Sequence, residues 1–268
     1  MTGDVSALAS GGCHIFSGCG FPAPGLQDFE WKPFFTIGSF GFTKPMLLAI
    51  LAALVVIVFF WAAFRKPKLV PRGVQNLGEM AILAVRDQIL RPSLGRRGDS
   101  YLPFLVSLFF FIYIMNVFEL IPVFQFPVTS RIGFVWPMVF IVYFLYLYLG
   151  VKNQGPWGYL KNMIPPGVPW PIYFILVPVE LLRFFVFQPF TLGVRLFGNM
   201  FAGHLLLTIF TLASWYLLSL SVGLIYAAGS FALAIFVFLL ETLVTLLQAF
   251  IFTTLTATYI ASSVEPAH

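Results

Sequence analysis

Residues 187–207 read FQPFTLGVRLFGNMFAGHLLL, a run that is apolar enough to enter a bilayer and nevertheless contains Arg195. A guanidinium remains ionised in proteins, and placing one at the centre of a membrane helix costs at least about 3 kcal/mol. We therefore expect Arg195 to have a function that requires its charge.

The composition places the rest of the chain in a membrane as well. Of the 268 residues, 60% are hydrophobic, 9% are charged and 33 are phenylalanine, which leaves too few polar side chains to cover a soluble globule. The apolar runs are long and continuous, whereas a membrane β-barrel shows short alternating segments. The sequence predicts an all-α integral membrane protein with about five membrane-embedded helices and one cytoplasmic surface amphipathic helix.

The basic residues predict the orientation. Eight of the 15 Lys and Arg residues lie between positions 65 and 100, so the positive-inside rule makes this loop cytoplasmic and the amino terminus extracytoplasmic. Within the loop, apolar residues recur at helical spacing from Val74 to Ile89, as expected for a helix that lies on the membrane surface. Lys152 and Lys161 mark the next cytoplasmic loop, and the carboxyl terminus is expected on the same side.

These runs divide the chain into six segments. We expect an extracytoplasmic segment at 1–43, a first transmembrane helix at 44–66, a cytoplasmic loop with an amphipathic helix at 67–100, a transmembrane hairpin at 101–152, a cytoplasmic loop at 153–171 and a long tilted helical hairpin at 172–264. No cleavable signal peptide is expected, because residues 1–30 lack a basic start followed by a continuous apolar core.

The amino-terminal segment contains Cys13 and Cys19 in GGCHIFSGC. On the extracytoplasmic side these cysteines could form a disulfide across a short loop. Free thiols and a metal site that includes His14 are the alternatives.

The last hairpin is unusual in length. Residues 230–264 contain neither Gly nor Pro, and an unbroken helix of roughly 35 residues is about 52 Å long, against roughly 30 Å of hydrocarbon. Four short spans would need a turn in this run, which contains no suitable residue at its middle. Two long, steeply inclined helices joined near residues 219–223 fit better.

Folding this hairpin brings polar residues to shared levels. Arg195 falls at the level of Gln248, and His204 falls at the level of Glu241. A structural bridge between His204 and Glu241 is one interpretation, and a proton-exchanging pair is the other. The hairpin holds no acid at the depth of Arg195, which argues against a simple ion pair there.

Helical phase separates these residues by face. Asn199 lies one turn after Arg195 on nearly the same face, whereas His204 is rotated by about 180°. Glu241, Thr245 and Gln248 share a face and could line a water-filled path. Gln248 and Asn199 could instead form interhelical hydrogen bonds.

A further candidate lies nearer the cytoplasmic end of the hairpin. The same pairing places Glu180 opposite Ser262 and Ser263, where a carboxylate facing two hydroxyls could hold water. The alternative is a local pair of Glu180 with Arg183, three residues on.

Residues 195–204 (RLFGNMFAGH) and 246–252 (LLQAFIF) closely resemble the two signature segments of subunit a of the bacterial F-type ATP synthase. Residues 116–122 (NVFELIP) and the start of the first span at Lys44 and Pro45 resemble further landmarks of that family. The resemblance runs from about residue 44 to the carboxyl end.

The resemblance implies a non-catalytic stator subunit in the bacterial plasma membrane. Its partners would be a ring of c subunits that each carry a membrane carboxylate, b-type peripheral stalk subunits and the other ATP synthase subunits. Two offset aqueous half-channels in residues 172–264 would load and unload protons on the ring. No cofactor, metal or nucleic acid is implied, and no Walker-type loop for nucleotide is present in the sequence.

The resemblance also implies roles for single residues. Arg195 would be the essential arginine and Gln248 its partner on the last helix, while Asn199, His204 and Glu241 would belong to the outer half-channel. In some relatives the acid and the histidine occupy exchanged positions. Glu119 stands where many members have a small residue, and we expect it at the outer entrance.

Glu180 departs from the family pattern. The acid that precedes the proline before the arginine motif is, in much of the family, one residue closer to that proline than Glu180 is to Pro189. A helical bulge between Glu180 and Pro189 would restore the register and with it an inner half-channel role.

Two other functions are consistent with charges inside a membrane. A secondary ion transporter usually shows a repeated pair of broken helices, and the sequence contains no internal repeat. A structural membrane scaffold would need no aligned Arg, His and Glu.

Overall fold

The structure, a computed structural model, describes residues 15, 20–21, 23–25, 35–37, 40–121, 124–162, 170–218 and 223–264. The predicted all-α membrane fold is confirmed: in the described part of the chain, five helices are long and apolar enough to cross a membrane. Cys13, His14 and Cys19 lie outside the described residues.

A short pair of antiparallel strands precedes the first membrane helix. Strand β1 (Phe35–Ile37) pairs with β2 (Phe40–Phe42), and Phe35 lies opposite Phe42. Helix α1 (Lys44–Phe64) follows directly, with a proline in its first turn, where the missing N–H costs no hydrogen bond.

The chain then folds back so that α2 (Val74–Val85) packs against the end of α1. The Gln75 side chain closes the connecting loop, because its Oε1 accepts from the Lys68 backbone N–H at 3.0 Å and its Nε2 donates to the Lys68 carbonyl at 2.8 Å. Gly78 lets α2 approach α1 closely at Ala63. The apolar side chains of Val74 and Leu77 remain exposed.

The next segment continues α2 into the second membrane span. A π-helical turn (Arg86–Leu90), the short helix α3 (Arg91–Leu94) and a 3₁₀ turn (Gly95–Tyr101) lead into α4 (Leu102–Val117). After α4, a 3₁₀ turn (Val128–Ser130) precedes α5 (Ile132–Gln154) and the short helix α6 (Pro156–Asn162).

The carboxyl-terminal third forms the predicted pair of long helices. Helix α7 (Trp170–Leu182), a π-helical turn (Arg183–Phe187) and α8 (Gln188–Tyr216) follow without a break, and α9 (Gly223–Val264) has 42 residues. At 1.5 Å per residue α9 is about 63 Å long, twice the thickness of a bilayer core, so it must be inclined. Helices α8 and α9 pack along one another, and α4 and α5 cover α9.

The bundle has an apolar core that also buries a few polar residues, and its outer surface is largely apolar. Leu196 of α8 and Phe252 of α9 pack with Val139 and Ile112 in the principal core. Large apolar side chains are exposed along all five spans, for example Phe174 and Ile225. Lipid tails are as apolar as these side chains, so only the bundle interior offers buried polar groups partners and water.

We expect Gly78→Ala to weaken the contact between α1 and α2. An added methyl group would lie 2.7 Å from the Ala63 Cβ, and neither group can turn aside, so overpacking of about 1–3 kcal/mol follows. The thermal unfolding midpoint of the purified complex should fall. Gly133→Ala is the control, because its methyl group would meet nothing within 4 Å, and equal midpoints for both variants would contradict the described packing.

Candidate functional site

The face of α9 that packs against the bundle carries a stripe of polar residues. Glu241, Thr245 and Gln248 are only 3%, 0% and 4% exposed, although they lie in a membrane-length apolar helix. The spacing of three and four residues keeps them on one side of the helix. The structure therefore buries together the three residues that helical phase placed on one face.

Glu241 fits against a glycine of α8. A methyl group added at Gly203 would overlap the Glu241 carboxyl group, so the absence of a side chain at Gly203 creates the space that this carboxyl group occupies. Gly203 directly precedes His204, so Glu241 lies next to the level at which sequence reasoning placed it.

His204 contacts a second acid, Glu119. Its Nδ1 lies 3.2 Å from Oε1 of Glu119, which follows the end of α4 and is 4% exposed. Sequence reasoning paired His204 with Glu241 and placed Glu119 at the outer entrance only. The structure thus places Glu119 against His204 and Glu241 against the neighbouring Gly203. The ring of Phe126 lies edge-on to the His204 imidazole.

Burial raises the pKa of Glu119 above its ordinary value, and the hydrogen bond and charge of His204 oppose this shift. The protonated form of Glu119 is therefore easier to populate than that of an exposed carboxyl group. A carboxyl group that gains and loses a proton beside an imidazole is suited to proton exchange.

Several polar atoms around this cluster are buried and have no hydrogen-bond partner among the described protein groups. They are Asn116 Nδ2, Glu119 Oε2, Glu241 Oε2 and Thr245 Oγ1. Asn116 is held by a hydrogen bond from Thr129 to its Oδ1. Buried polar atoms in native proteins are almost always satisfied, by water where protein groups do not suffice, so this region is suited to binding water.

Arg195 lies on a different surface from the Glu119–His204–Glu241 cluster. Its side chain and that of Asn199 are exposed on α8, one turn apart. In the described part of the chain, no carboxylate forms an ion pair with Arg195, and no hydrogen bond joins it to the buried Gln248. The guanidinium is thus presented outward from an apolar helix.

Glu180 makes no direct hydrogen bond to Ser262 or Ser263, the residues that the hairpin count places opposite it. Glu180 instead accepts a hydrogen bond from Arg183 Nε at 2.7 Å, the local alternative. Ser263 Oγ lies 3.0 Å from the hydroxyl of Tyr159 on α6. The hairpin count treats α7 and α8 as one ideal α-helix, whereas a π-helical turn intervenes.

That turn is a helical bulge in the interval between Glu180 and Pro189. The π-helical turn spans Arg183–Phe187, between Glu180 and Pro189, and a π turn accommodates one extra residue. Glu180 therefore has the helical phase of an acid one residue closer to Pro189 in an unbroken α-helix.

Sequence reasoning missed the tyrosines around Ser263. Tyr159 follows a Gly-Pro start of a short helix, and nothing in the periodicity indicates that this helix docks on the end of α9. Gln154 also reaches the α9 end, with Nε2 donating to the Ser263 carbonyl at 3.0 Å. The only sequence signal was the aromatic content of α5, which is equally typical of lipid-facing helices.

Comparison with known proteins gives a consistent result. The family model described as ATP synthase A chain matches residues 46–261. ATP synthase subunit a of Streptomyces lividans is 44% identical over 262 residues, which cover 96% of this chain and 92% of the relative. The subunits a of Frankia alni and Rhodococcus erythropolis are 40% and 39% identical, covering 91% and 90% of this chain and 86% and 89% of the relatives.

We expect Gly203→Ala to displace Glu241. The added methyl group requires the carboxyl group to move, and overpacking in a well-packed site costs about 1–3 kcal/mol. ATP-driven proton pumping in membrane vesicles should fall, while the amount of assembled complex should change little. The matched control is Gly229→Ala on α9, where a methyl group meets nothing within 4 Å; full pumping by both variants would show that the position of Glu241 is unimportant.

Proposed function

This chain belongs to the ATP synthase A chain family, and we propose that it forms two offset aqueous half-channels that load and unload protons on a rotating c-ring. It is a multi-pass membrane protein whose partners are other ATP synthase subunits. Within that complex we assign it a non-catalytic stator role in the bacterial plasma membrane, against the c-ring and beside b-type stalk subunits. The amino terminus is extracytoplasmic in this proposal.

The outward position of Arg195 is the observation that carries the proposal. A guanidinium exposed on a membrane helix is costly unless it meets an opposite charge, and the described residues supply none. A ring whose subunits each present a membrane carboxylate supplies one charge after another. Asn199, on the same face as Arg195, would contact the ring beside it.

The outer half-channel leads to this surface through the buried polar cluster. A proton that enters from outside would pass Glu119 and His204 to Glu241, and then follow Thr245 and Gln248 down the stripe on α9. The support is the Glu119–His204 hydrogen bond, the packing of Glu241 beside His204 and the unpartnered polar atoms around them. An imidazole and a carboxyl group can each take up and release a proton.

The inner half-channel begins at Glu180. The π-helical turn gives Glu180 the phase of the family acid, and Arg183 holds the Glu180 carboxylate near the cytoplasmic end of the hairpin. Ser262 and Ser263 lie near the carboxyl end of α9, where Ser263 has hydrogen bonds with Tyr159 and Gln154 and none with Glu180. The proton path would thus occupy residues 172–264 together with Glu119.

The chemistry is electrostatic. A proton from the outer side neutralises a ring carboxylate, which can then leave Arg195 and enter lipid, and the next ionised carboxylate takes its place. Because Arg195 does not deprotonate, it prevents protons from passing directly between the half-channels. Each elementary charge that crosses 100 mV contributes about 2.3 kcal/mol, so several protons together can drive synthesis elsewhere in the complex.

We expect Arg195→Ala to abolish ATP synthesis and ATP-driven proton pumping while assembly remains largely intact. The variant removes the charge that attracts each ring carboxylate. Assembly should persist because no acid among the described residues forms an ion pair with Arg195. Synthesis and pumping would be measured in vesicles that contain equal amounts of complex. Arg65→Ala, at an exposed position beside Trp61 beyond the end of α1, is the control and should retain both activities.

Normal coupled synthesis by assembled Arg195→Ala complexes would refute the proposal. A secondary transporter would instead show ion exchange by this chain without the ring. A scaffold would show activity that follows the amount of assembled complex and nothing else.

We expect Glu180→Gln to slow turnover in both directions without creating a proton leak, because Arg195 still separates the two paths. Arg183→Gln removes the ion-pair partner of Glu180 and leaves the Glu180 carboxylate in place. It therefore distinguishes a half-channel role of Glu180 from a surface pair with Arg183. Loss of turnover in Glu180→Gln alone supports the half-channel role. Unchanged turnover of Glu180→Gln over a wide pH range would show that the pair is only a surface contact.

A further inference from the structure

Four tyrosines form a cluster where α5, α6 and the end of α9 meet. The ring centroid of Tyr146 lies 5.4 Å from that of Tyr143 and 5.6 Å from that of Tyr259. Tyr146 and Tyr159 both contact the ring of Phe184 in the π-helical turn, at 5.3 Å and 5.5 Å. None of these tyrosines has a role in the site described above.

Tyr159 packs against α5 where Gly150 leaves space for its ring. A methyl group added at Gly150 of α5 would overlap the phenol ring, so Gly150 allows the ring to lie flush against α5. The Tyr159 hydroxyl is buried and lies 3.0 Å from Ser263 Oγ, which donates to the Tyr259 carbonyl at 2.9 Å. Burial raises the pKa of the Tyr159 hydroxyl, with the Ser263 hydrogen bond opposing, so this group stays protonated.

The buried hydroxyl of Tyr146 is separate evidence for bound water in this cluster. Its side chain is 1% exposed, and its hydroxyl has no hydrogen-bond partner among the described protein groups. A phenol buried in this way loses its hydration without compensation, and phenylalanine would fill the same space at no such cost. Retaining a hydroxyl here is favourable if it binds water.

The cluster also packs against the π-helical turn Arg183–Phe187, which directly precedes α8, the helix of Arg195. At the other end, Gln154 and Tyr159 reach the last turn of α9, beside the predicted cytoplasmic loop. The tyrosines therefore contact both the π-helical turn before α8 and the end of α9.

We propose that Tyr259, Tyr146 and Tyr159, with Ser263, hold ordered water and form the cytoplasmic segment of the proton route. This inference rests on the proposed function and names side chains for its inner half. Each hydroxyl accepts a proton from water on one side and releases its own proton on the other. No tyrosine changes its charge, and no bond other than O–H forms or breaks.

The test is passive proton flux through membranes that contain the assembled complex stripped of its catalytic sector, under an imposed potential. Tyr146→Phe should lower the flux at least about threefold, well within the ~10²-fold that one positioned proton-transfer group can contribute. Tyr159→Phe should act in the same direction. Tyr148→Phe is the matched control, because Tyr148 lies on the same helix, is 61% exposed and contacts Lys152 through its ring, which phenylalanine retains.

The outcomes separate this inference from the proposed function. A fall in flux at normal assembly, confined to the two buried tyrosines, supports the route, since a purely structural role would lower assembly with flux. Unchanged flux in Tyr146→Phe, accompanied by a higher unfolding temperature, means that the cluster is dry and overturns the route. If Glu241→Gln still blocks flux in that case, the proposed function stands. If neither variant alters flux, both proposals fail.

Discussion

The structure depends on the cost of placing charge in hydrocarbon. Every polar group in the spans must face a partner, water or another chain, because lipid can satisfy none of them. The bundle meets this constraint in two ways: the acids and the histidine turn inward, where α4, α8 and α9 meet, while Arg195 turns outward. The surface around Arg195, which needs an anion from another chain, is thus separate from the bundle interior, which is suited to binding water.

Long helices make this separation possible. The 42 residues of α9 present one buried face from Ala227 to Ser263, so polar residues can be distributed along the whole thickness of the membrane without leaving that face. Small residues let the neighbouring helix approach, and Gly203 gives Glu241 its position. Packing and proton chemistry therefore depend on the same close contact between α8 and α9.

Much of this could be predicted from the sequence. Hydropathy and the absence of Gly and Pro predicted the helices and the hairpin, because these are properties of one segment at a time. Antiparallel counting placed Glu241 within one residue of its contact. It could not predict the Glu119–His204 bond or the docking of Tyr159, since both join segments far apart in sequence through loops of irregular geometry. The count also treats the helix that carries Glu180 as an ideal α-helix, whereas a π-helical turn accommodates one extra residue there.

The π-helical turn at Arg183–Phe187 has an evolutionary consequence. An inserted residue in an ordinary membrane helix would rotate everything on one side of it by about 100° and turn a buried face toward lipid. A single wide turn absorbs the insertion locally and leaves both flanking helices in their packing. A chain that gains or loses one residue at this point would therefore keep the orientation of the arginine motif and of the acid before it.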